Sequence, residues 1–357
     1  MLRALLSDDL PRSRALTAIL LAILVGLAGA PFLFPGAAAI NTAAKICYFI
    51  VLVVSYDLLL GYTGIVSFAH AMFFGIGGYG VGLSLYAWGP SWPVIFAGLA
   101  AAIVLGVVLA LLIGLLSLRV KAIFFAMITL AVASAFAILA TQFNEITGGE
   151  DGRSFRVPDL LRPTYRLSDA TLFGVAINGR LVAYYVVFAS ALLLFLVALR
   201  IVNSPFGRVL QAIRENPMRA EALGYRVVYY RTMANCLAAA MAVVAGGLCA
   251  LWLRYTGPDT TLSFAIMLDI LLMVVIGGMG TMYGAVVGAT LFIVAQNYLQ
   301  RLMGVAASAT EGIPILPQLL HPDRWLLFLG VLFVLSVYFF PTGIIGKLRG
   351  GAAPKGH

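Results

Sequence analysis

The chain has 357 residues, of which 62% are hydrophobic and only 10% are charged, and its formal net charge is +9. Soluble domains carry about 25% charged residues, so this composition excludes a soluble globular protein and indicates an integral membrane protein. The basic residues lie beside apolar runs and form no single aromatic-interleaved patch, which argues against nucleic-acid binding. Cys47, Cys236 and Cys249 lie within apolar runs without CxxC or His pairs, so we predict neither a disulfide nor a metal site.

Ten apolar runs each approach the roughly 20 residues that a helix needs to cross a bilayer. The runs are 15–34, 43–60, 70–88, 93–118, 122–143, 181–199, 232–253, 263–279, 282–302 and 325–343. Nothing shows the dyad alternation of a membrane barrel, so we predict an all-α integral membrane fold with about ten transmembrane helices in one domain, residues 1–357. The first run is longer than a typical signal-peptide core, and we expect a retained anchor.

The first glycine break, residues 61–70, separates the second and third runs. Irregular backbone at membrane depth must be covered by protein or line a cavity, so a substrate route here is one hypothesis. Its candidate residues are Ser67, His70, Phe74, Gly75 and Gly78. Close helix packing explains such glycines equally, and His70 suits a structural hydrogen bond, a substrate contact or a proton relay.

The second glycine break, residues 277–281, ends the eighth run and raises the same two alternatives. Its candidate pathway residues are Gly277, Gly278, Gly280 and Thr281. Each break follows a run that carries a carboxylate, Asp57 in one and Asp269 in the other. Charges inside a membrane are costly and therefore mark candidates for function, with a helix–helix hydrogen bond and an ion or substrate role both open.

A charge-balanced segment, residues 144–180, follows the fifth run. Its five arginines are matched by five acidic residues, and it begins with a glycine-rich stretch at Thr147-Gly148-Gly149-Glu150-Asp151-Gly152. Loops without a positive excess are typical of the side opposite the cytoplasm, so we predict an external loop.

Residues 200–231 are by contrast strongly basic, with six arginines and two glutamates. Ser204-Pro205 and Asn216-Pro217 each combine a side chain that caps helix amides with a proline at the first helical position. Gly224 favours a left-handed helix stop. We therefore predict two short helices, 205–215 and 217–223, joined by a corner.

The remaining charges agree with one orientation. If the amino terminus is cytoplasmic, ten crossings place the following groups on the cytoplasmic side, as the positive-inside rule requires. They are Arg3, Arg12 and Arg14, then Arg119 and Lys121, the basic residues of 200–231, and finally Lys347 and Arg349. We predict that both termini are cytoplasmic.

Four motifs together resemble the larger permease subunit of the branched-chain amino acid ABC importers. They are Gly61 to Ala71 (GYTGIVSFAHA), Thr147 to Gly152 (TGGEDG), Phe206 to Asn216 (FGRVLQAIREN) and Val275 to Thr281 (VIGGMGT). The resemblance covers nearly the whole chain and implies an ABC importer permease fold in the inner membrane of a bacterium.

The resemblance implies that residues 200–231, which we name the coupling segment, dock on an ATPase subunit. The coupling residues are expected to be Arg208, Ile213, Arg214, Glu215, Asn216, Glu221 and Gly224. Val209, Leu210 and Ile213 would enter a groove of the partner. A basic loop lying on anionic lipid is the alternative.

The chain lacks GxxxxGK[ST], so ATP and magnesium are expected on a partner subunit, and this chain itself is expected to bind no cofactor. The implied partners are a second, smaller permease, two ATP-binding subunits and a soluble external substrate-binding protein. Glu150, Asp151 and the arginines of 144–180 are candidates for docking that protein.

We therefore predict a transport subunit without catalytic residues that forms half of a pathway for branched-chain or hydrophobic amino acids. Urea, short amides and small carboxylates remain alternative cargoes. An ion-coupled secondary transporter using Asp57 and Asp269 is the alternative from another class. A membrane enzyme with His70 as base is disfavoured because no nucleophile or metal set accompanies it.

Overall fold

The computed structural model describes residues 13–33, 36–117, 122–172, 175–309 and 343–349, with single positions between 321 and 338. Its helices are α1 (Arg14–Leu33), α2 (Ala37–Thr63), α3 (His70–Trp88), α4 (Trp92–Ser117), α5 (Ala122–Gln142), α6 (Gly179–Asn203), α7 (Pro205–Glu215), α8 (Pro217–Ala222), α9 (Val227–Leu253), α10 (Phe264–Gly277), α11 (Met282–Ala309) and α12 (Gly343–Arg349), besides single turns.

Within the described residues, eight helices are long and apolar enough to cross a membrane, against the ten spans that the sequence predicts. The chain is thus a helical, multi-pass membrane protein. Glycine-rich α3 is not among the eight, although it packs between α4 and α9. Most of the tenth predicted span, 325–343, lies outside the described residues, as do Arg3, Arg12, Arg119 and Lys121.

Helix α2 forms the centre of the molecule. It packs against α6, α9, α10 and α11, and its middle, from Val51 to Val54, is fully buried. A helix that is apolar all round is stable when other helices enclose it, which is the environment that α2 has. The remaining long helices surround α2 or contact its neighbours, and the outer surfaces of α4 and α5 expose large apolar side chains.

Helices α3 and α9 approach each other through glycine. A Cβ atom on Gly77 would collide with the carbonyl group of Val243, and one on Gly246 would collide with the carbonyl group of Phe74. Backbone therefore meets backbone at this crossing, which is the role of small residues between membrane helices.

The 144–180 segment is more structured than the predicted loop and adds short strands to an otherwise helical chain. Strand β1 (Arg153–Ser154) pairs with β4 (Tyr255–Thr256), and β2 (Arg166–Leu172) pairs with β3 (Val175–Asn178). Phe155, Val157 and Leu161 are buried against α3, α4 and α9, so hydrophobic packing holds the segment onto the helices.

The glycine-rich start of this segment makes a compact turn. Gly148, Gly149 and Gly152 all have positive φ, a conformation that is unfavourable for other residues. Tyr255 Oη donates a hydrogen bond of 2.9 Å to the carbonyl of Asp151, and the Arg153 guanidinium lies 4.4 Å from the ring centre of Tyr86. The turn is therefore fixed to the segments around it, while Glu150 and Asp151 are exposed.

The two glycine breaks, the coupling segment and α12 lie at one end of the helices. Arg214 of α7 contacts both breaks, and a Cβ atom on Gly343 of α12 would lie 3.0 Å from the carbonyl carbon of Gly277. Strands β1 to β4 lie at the opposite end. Helix α12, which carries Lys347 and Arg349, thus lies at the same end as the coupling segment, and the cytoplasmic placement of that end stays a prediction.

Candidate functional site

The coupling segment folds as its local sequence predicts. Helix α7 begins after Ser204, whose Oγ accepts a hydrogen bond of 3.4 Å from the amide of Gly207. Helix α8 begins after Asn216, whose Oδ1 accepts one of 3.0 Å from the amide of Arg219. Gly224 has φ +91°, as predicted for a left-handed stop. The two capped helices form a corner at Asn216.

One face of the coupling segment is buried within the chain. Ile213 and Leu210 are fully buried, and Ile213 packs with Ala220 and Val227 into a small apolar cluster. The prediction that Leu210 and Ile213 enter a groove of a partner is therefore wrong in this structure. Their side chains instead fasten α7 and α8 to the start of α9, because the amphipathic helix turns its apolar face towards its own chain.

The other face of the corner exposes two large apolar side chains. Met218 is 80% exposed and Leu223 is 72% exposed. The predicted coupling residues that are also exposed are Arg208, Arg214, Glu215, Asn216, Glu221 and Gly224. Sequence reasoning missed Met218 and Leu223, although two apolar residues in a strongly polar stretch were the available signal.

Arg214 connects the coupling segment to the first break. Its Nη1 donates a hydrogen bond to the carbonyl oxygen of Gly61, the third residue from the end of α2. The stem of Arg214 lies over Gly64, where a Cβ atom would come within 3.3 Å of Arg214 Cγ. Arg214 was predicted as a partner contact, and the structure places its guanidinium against this chain's own backbone.

Asp57 connects the first break to the second. Its Oδ1 accepts a hydrogen bond of 2.8 Å from the amide of Gly280, and the amide of Thr281 and the guanidinium of Arg214 also lie near the carboxylate. Asp57 is fully buried. A buried carboxylate is stable only with donors of this kind, so Asp57 holds the backbone of the second break in place.

Glycine is required where these groups meet. A Cβ atom on Gly61 would collide with the Asp57 carboxylate and the Gly280 amide. Gly280 has φ +80°, and a Cβ atom there would lie 2.6 Å from Arg214 Nη1 and 2.9 Å from the Gly61 oxygen. We name the group of Asp57, Gly61, Arg214 and Gly280 the junction. It joins α2, α7 and the connection between α10 and α11.

The other predicted pathway residues of the first break are packed inside the chain. Ser67 and His70 are fully buried, and Phe74 is 1% exposed. The His70 ring packs edge-on against Tyr56, with ring centres 5.0 Å apart. Gly75 lies against the Leu262 side chain, and Gly78 lies against Thr261, Thr256 and Gly246. These positions are thus closely packed within the chain in this structure, and a pathway role for them stays a prediction.

The second break is a tight turn. Thr281 Oγ1 donates to the carbonyl of Gly278 at 2.8 Å, and the Thr281 carbonyl accepts from the amide of Gly284 at 2.8 Å. A Cβ atom on Gly277 would collide with the carbonyl of Gly284. The turn lets α11 start directly beside the end of α10.

Asp269 lies far from the junction. It is close to Lys45 and Gln296, and Lys45 Nζ donates a hydrogen bond of 2.8 Å to Gln296 Oε1. Lys45 precedes Asp57 by twelve residues of α2, which is about 18 Å along a helix. Asp57 and Asp269 therefore belong to separate polar groups.

Comparison with known proteins identifies permeases of branched-chain amino acid transport systems. A family model described as the branched-chain amino acid transport system / permease component matches residues 38–337. The chain is 27% identical to the high-affinity branched-chain amino acid transport system permease protein LivM of Salmonella typhimurium, over 85% of this chain and 73% of that protein. It is 29% identical to a probable LivM permease of Methanocaldococcus jannaschii, over 82% and 88%.

A second type of relative also matches. The chain is 24% identical to the permease protein LivH of the same transport system in Salmonella typhimurium, over 82% of this chain and 90% of that protein. No solved structure is significantly similar to the chain.

Proposed function

Since this chain belongs to the branched-chain amino acid transport system permease family, we propose that it forms half of the pathway of an ATP-driven importer. Its relatives named LivM are permeases for branched-chain amino acids, which supports a branched-chain or other hydrophobic amino acid as cargo. ATP is bound and hydrolysed by a partner, and this chain contributes the membrane pathway and its movement.

The junction is the observation that supports coupling most directly. Force applied to α7 and α8 by an ATPase reaches the Gly61 carbonyl through Arg214, and it reaches the second break through Asp57 and Gly280. The buried Leu210 and Ile213 add a packed contact, so the coupling segment cannot move independently of the helices. Movement of the partner is thus transmitted to α2, α10 and α11.

The exposed surfaces and the relatives of this chain also support three kinds of partner. The exposed corner at Met218 and Leu223 receives an ATP-binding subunit on the cytoplasmic side. The relatives include permeases of two types, LivM and LivH, which supports pairing with a second, smaller permease. The opposite end, with exposed Glu150 and Asp151, faces outward from a bacterial inner membrane and receives the substrate-binding protein.

An ion-coupled mechanism is less consistent with the geometry. Asp57 is engaged by the backbone of the second break, and Asp269 lies with Lys45 and Gln296, so the two acids do not form one ion site. Uptake by the reconstituted importer should continue when ion gradients are collapsed and stop when the ATPase is omitted. Uptake by this chain alone that requires an ion gradient would contradict the proposal.

Acidic substitution at the exposed corner should detach the ATPase. Met218→Glu combined with Leu223→Glu places two charges where we propose an apolar contact, and burial of an unpaired charge costs several kcal/mol. We expect at least a tenfold loss of the ATP-binding subunit, about 1.4 kcal/mol, in pull-downs of the assembled importer. Recovery of the second permease should be unchanged.

The matched control is Met218→Leu with Leu223→Met, which keeps both positions apolar and should bind the ATPase normally. Full ATPase recovery with the acidic pair would show that the ATPase docks elsewhere on this chain.

A further inference from the structure

A large cleft opens at the end opposite the coupling segment. Its volume is about 1140 Å³, and α2, α6, α9, α11 and the segment before α6 contribute its walls. This volume exceeds that of an amino acid several times over, so the cleft admits a solute together with water. It is distinct from the glycine breaks, which lie at the other end of the same helices.

The walls of the cleft carry positive charge only. Lys45, Arg180 and Arg254 line it, with no aspartate or glutamate among the lining residues of the described structure. Two of the cations already have partners. Arg180 donates hydrogen bonds of 3.0 Å to the Ala37 carbonyl and to Asn41 Oδ1, and Lys45 donates to Gln296 and lies beside Asp269.

Arg254 differs from the other two cations. Its side chain is exposed and makes no hydrogen bond or ion pair with the parts of the chain that the structure describes. Its backbone is left-handed, with φ +57°, and no other non-glycine residue in the described ranges has a positive φ. Backbone in this region is unfavourable for arginine and persists only where the surroundings enforce it.

The surroundings of Arg254 do enforce that conformation. The Arg254 amide donates to the Ala250 carbonyl at 2.7 Å, which ends α9, and its carbonyl accepts from the Phe155 amide at 3.2 Å, beside the β1–β4 pair. The backbone at Arg254 is thus fixed from both sides, and it carries an unpaired guanidinium at the cleft wall. An unpaired arginine can bind a carboxylate through two parallel hydrogen bonds.

The same cleft offers apolar surface next to this cation. Leu253 and Tyr298 line it and are 41% and 43% exposed. A small molecule with a carboxylate at one end and an apolar side chain at the other matches this combination. Urea and neutral amides have no negative group for Arg254 to bind.

We propose that this cleft is where the cargo first binds the permease, with its carboxylate on Arg254 and its apolar side chain against Leu253 and Tyr298. The proposal rests on the function proposed above and assigns the carboxylate of such a cargo to one cation of this chain, Arg254.

The test uses the complete importer in proteoliposomes, with the binding protein and ATP, and measures uptake of L-leucine. Arg254→Asn removes the cation and keeps a residue that tolerates the left-handed backbone, whereas Arg254→Lys keeps a positive charge. We expect at least a tenfold loss of uptake for the asparagine variant and retention of about half or more for the lysine variant. Arg156→Gln, an exposed arginine at the same end that does not line the cleft, is the matched control and should transport normally.

A second measurement does not depend on how the variants fold. In the native importer, cross-linking with the photoreactive amino acid photo-leucine should label the peptide that contains Leu253, and leucine should compete where leucinamide does not. Normal uptake by Arg254→Asn, labelling elsewhere only, or equal competition by leucinamide would overturn the proposal. If the native importer shows ATP-dependent uptake of none of these solutes, that result would instead contradict the proposed function.

Discussion

Solute uptake per ATP hydrolysed should fall at least tenfold when Arg214 is replaced by alanine, although the ATPase should stay bound. The substitution removes a charged hydrogen bond to the Gly61 carbonyl and a positive group beside the buried Asp57 carboxylate. Hydrogen bonds to charged groups contribute about 1.5–3 kcal/mol, which corresponds to roughly ten- to hundredfold in a coupled equilibrium. Uptake and ATP hydrolysis measured on the same proteoliposomes give the ratio.

Arg226→Ala provides the matched control, because it removes another exposed arginine of the coupling segment that contacts neither glycine break in the described structure. Its ratio of uptake to hydrolysis should be that of the native chain. If Arg214→Ala instead releases the ATPase, Arg214 belongs to the subunit interface, as sequence alone suggested. If the ratio of uptake to hydrolysis is unchanged and the ATPase stays bound, Arg214 neither transmits movement nor contacts the ATPase.

The second large effect is expected at the crossing of α3 and α9. Gly246→Ala places a methyl group into the carbonyl of Phe74, and backbone cannot move aside as a flexible side chain can. Overpacking in a close-packed interior costs about 1–3 kcal/mol, and we expect the upper part of that range or more. The midpoint of thermal unfolding in detergent and the amount of protein in the membrane should both decrease.

Gly26→Ala is the appropriate comparison, because a Cβ atom there meets nothing within 4 Å and alanine favours a helix over glycine. Its thermal midpoint should equal or exceed that of the native chain. Equal midpoints for Gly246→Ala and Gly26→Ala would show that the two helices separate more readily than the structure indicates.

Local signals in the sequence predicted local structure. The caps at Ser204 and Asn216 and the stop at Gly224 were predicted because each depends on residues within one helical turn. The family resemblance that the four motifs suggested is confirmed by the family match over residues 38–337.

Such local signals could not predict the tertiary contacts between distant parts of the chain. Whether Ile213 and Arg214 face a partner or their own chain depends on α2 and α9, which no periodicity within 205–215 reveals. The β1–β4 pair joins residues about a hundred positions apart through strands of two residues, too short for an alternating pattern.

The start of α2 shows why hydropathy misplaces helix ends. The sequence predicts a span from 43, and the helix begins at Ala37. Asn41 and Thr42 lower the local hydropathy, and both line the cleft that also contains Arg254. The polar residues that obscured the helix boundary are thus the ones that face a candidate binding site.

The enclosure of α2 has a mechanical consequence for transport. A helix buried on nearly all sides and bonded to α11 through Lys45 and Gln296 cannot slide past its neighbours without breaking many contacts at once. Each cycle of ATP binding and hydrolysis by the proposed ATPase should then rotate this subunit as a single rigid body against the proposed second permease. Spin labels placed on α4 and α11 of this chain should keep a constant separation throughout the cycle, while separations measured across the two permeases change.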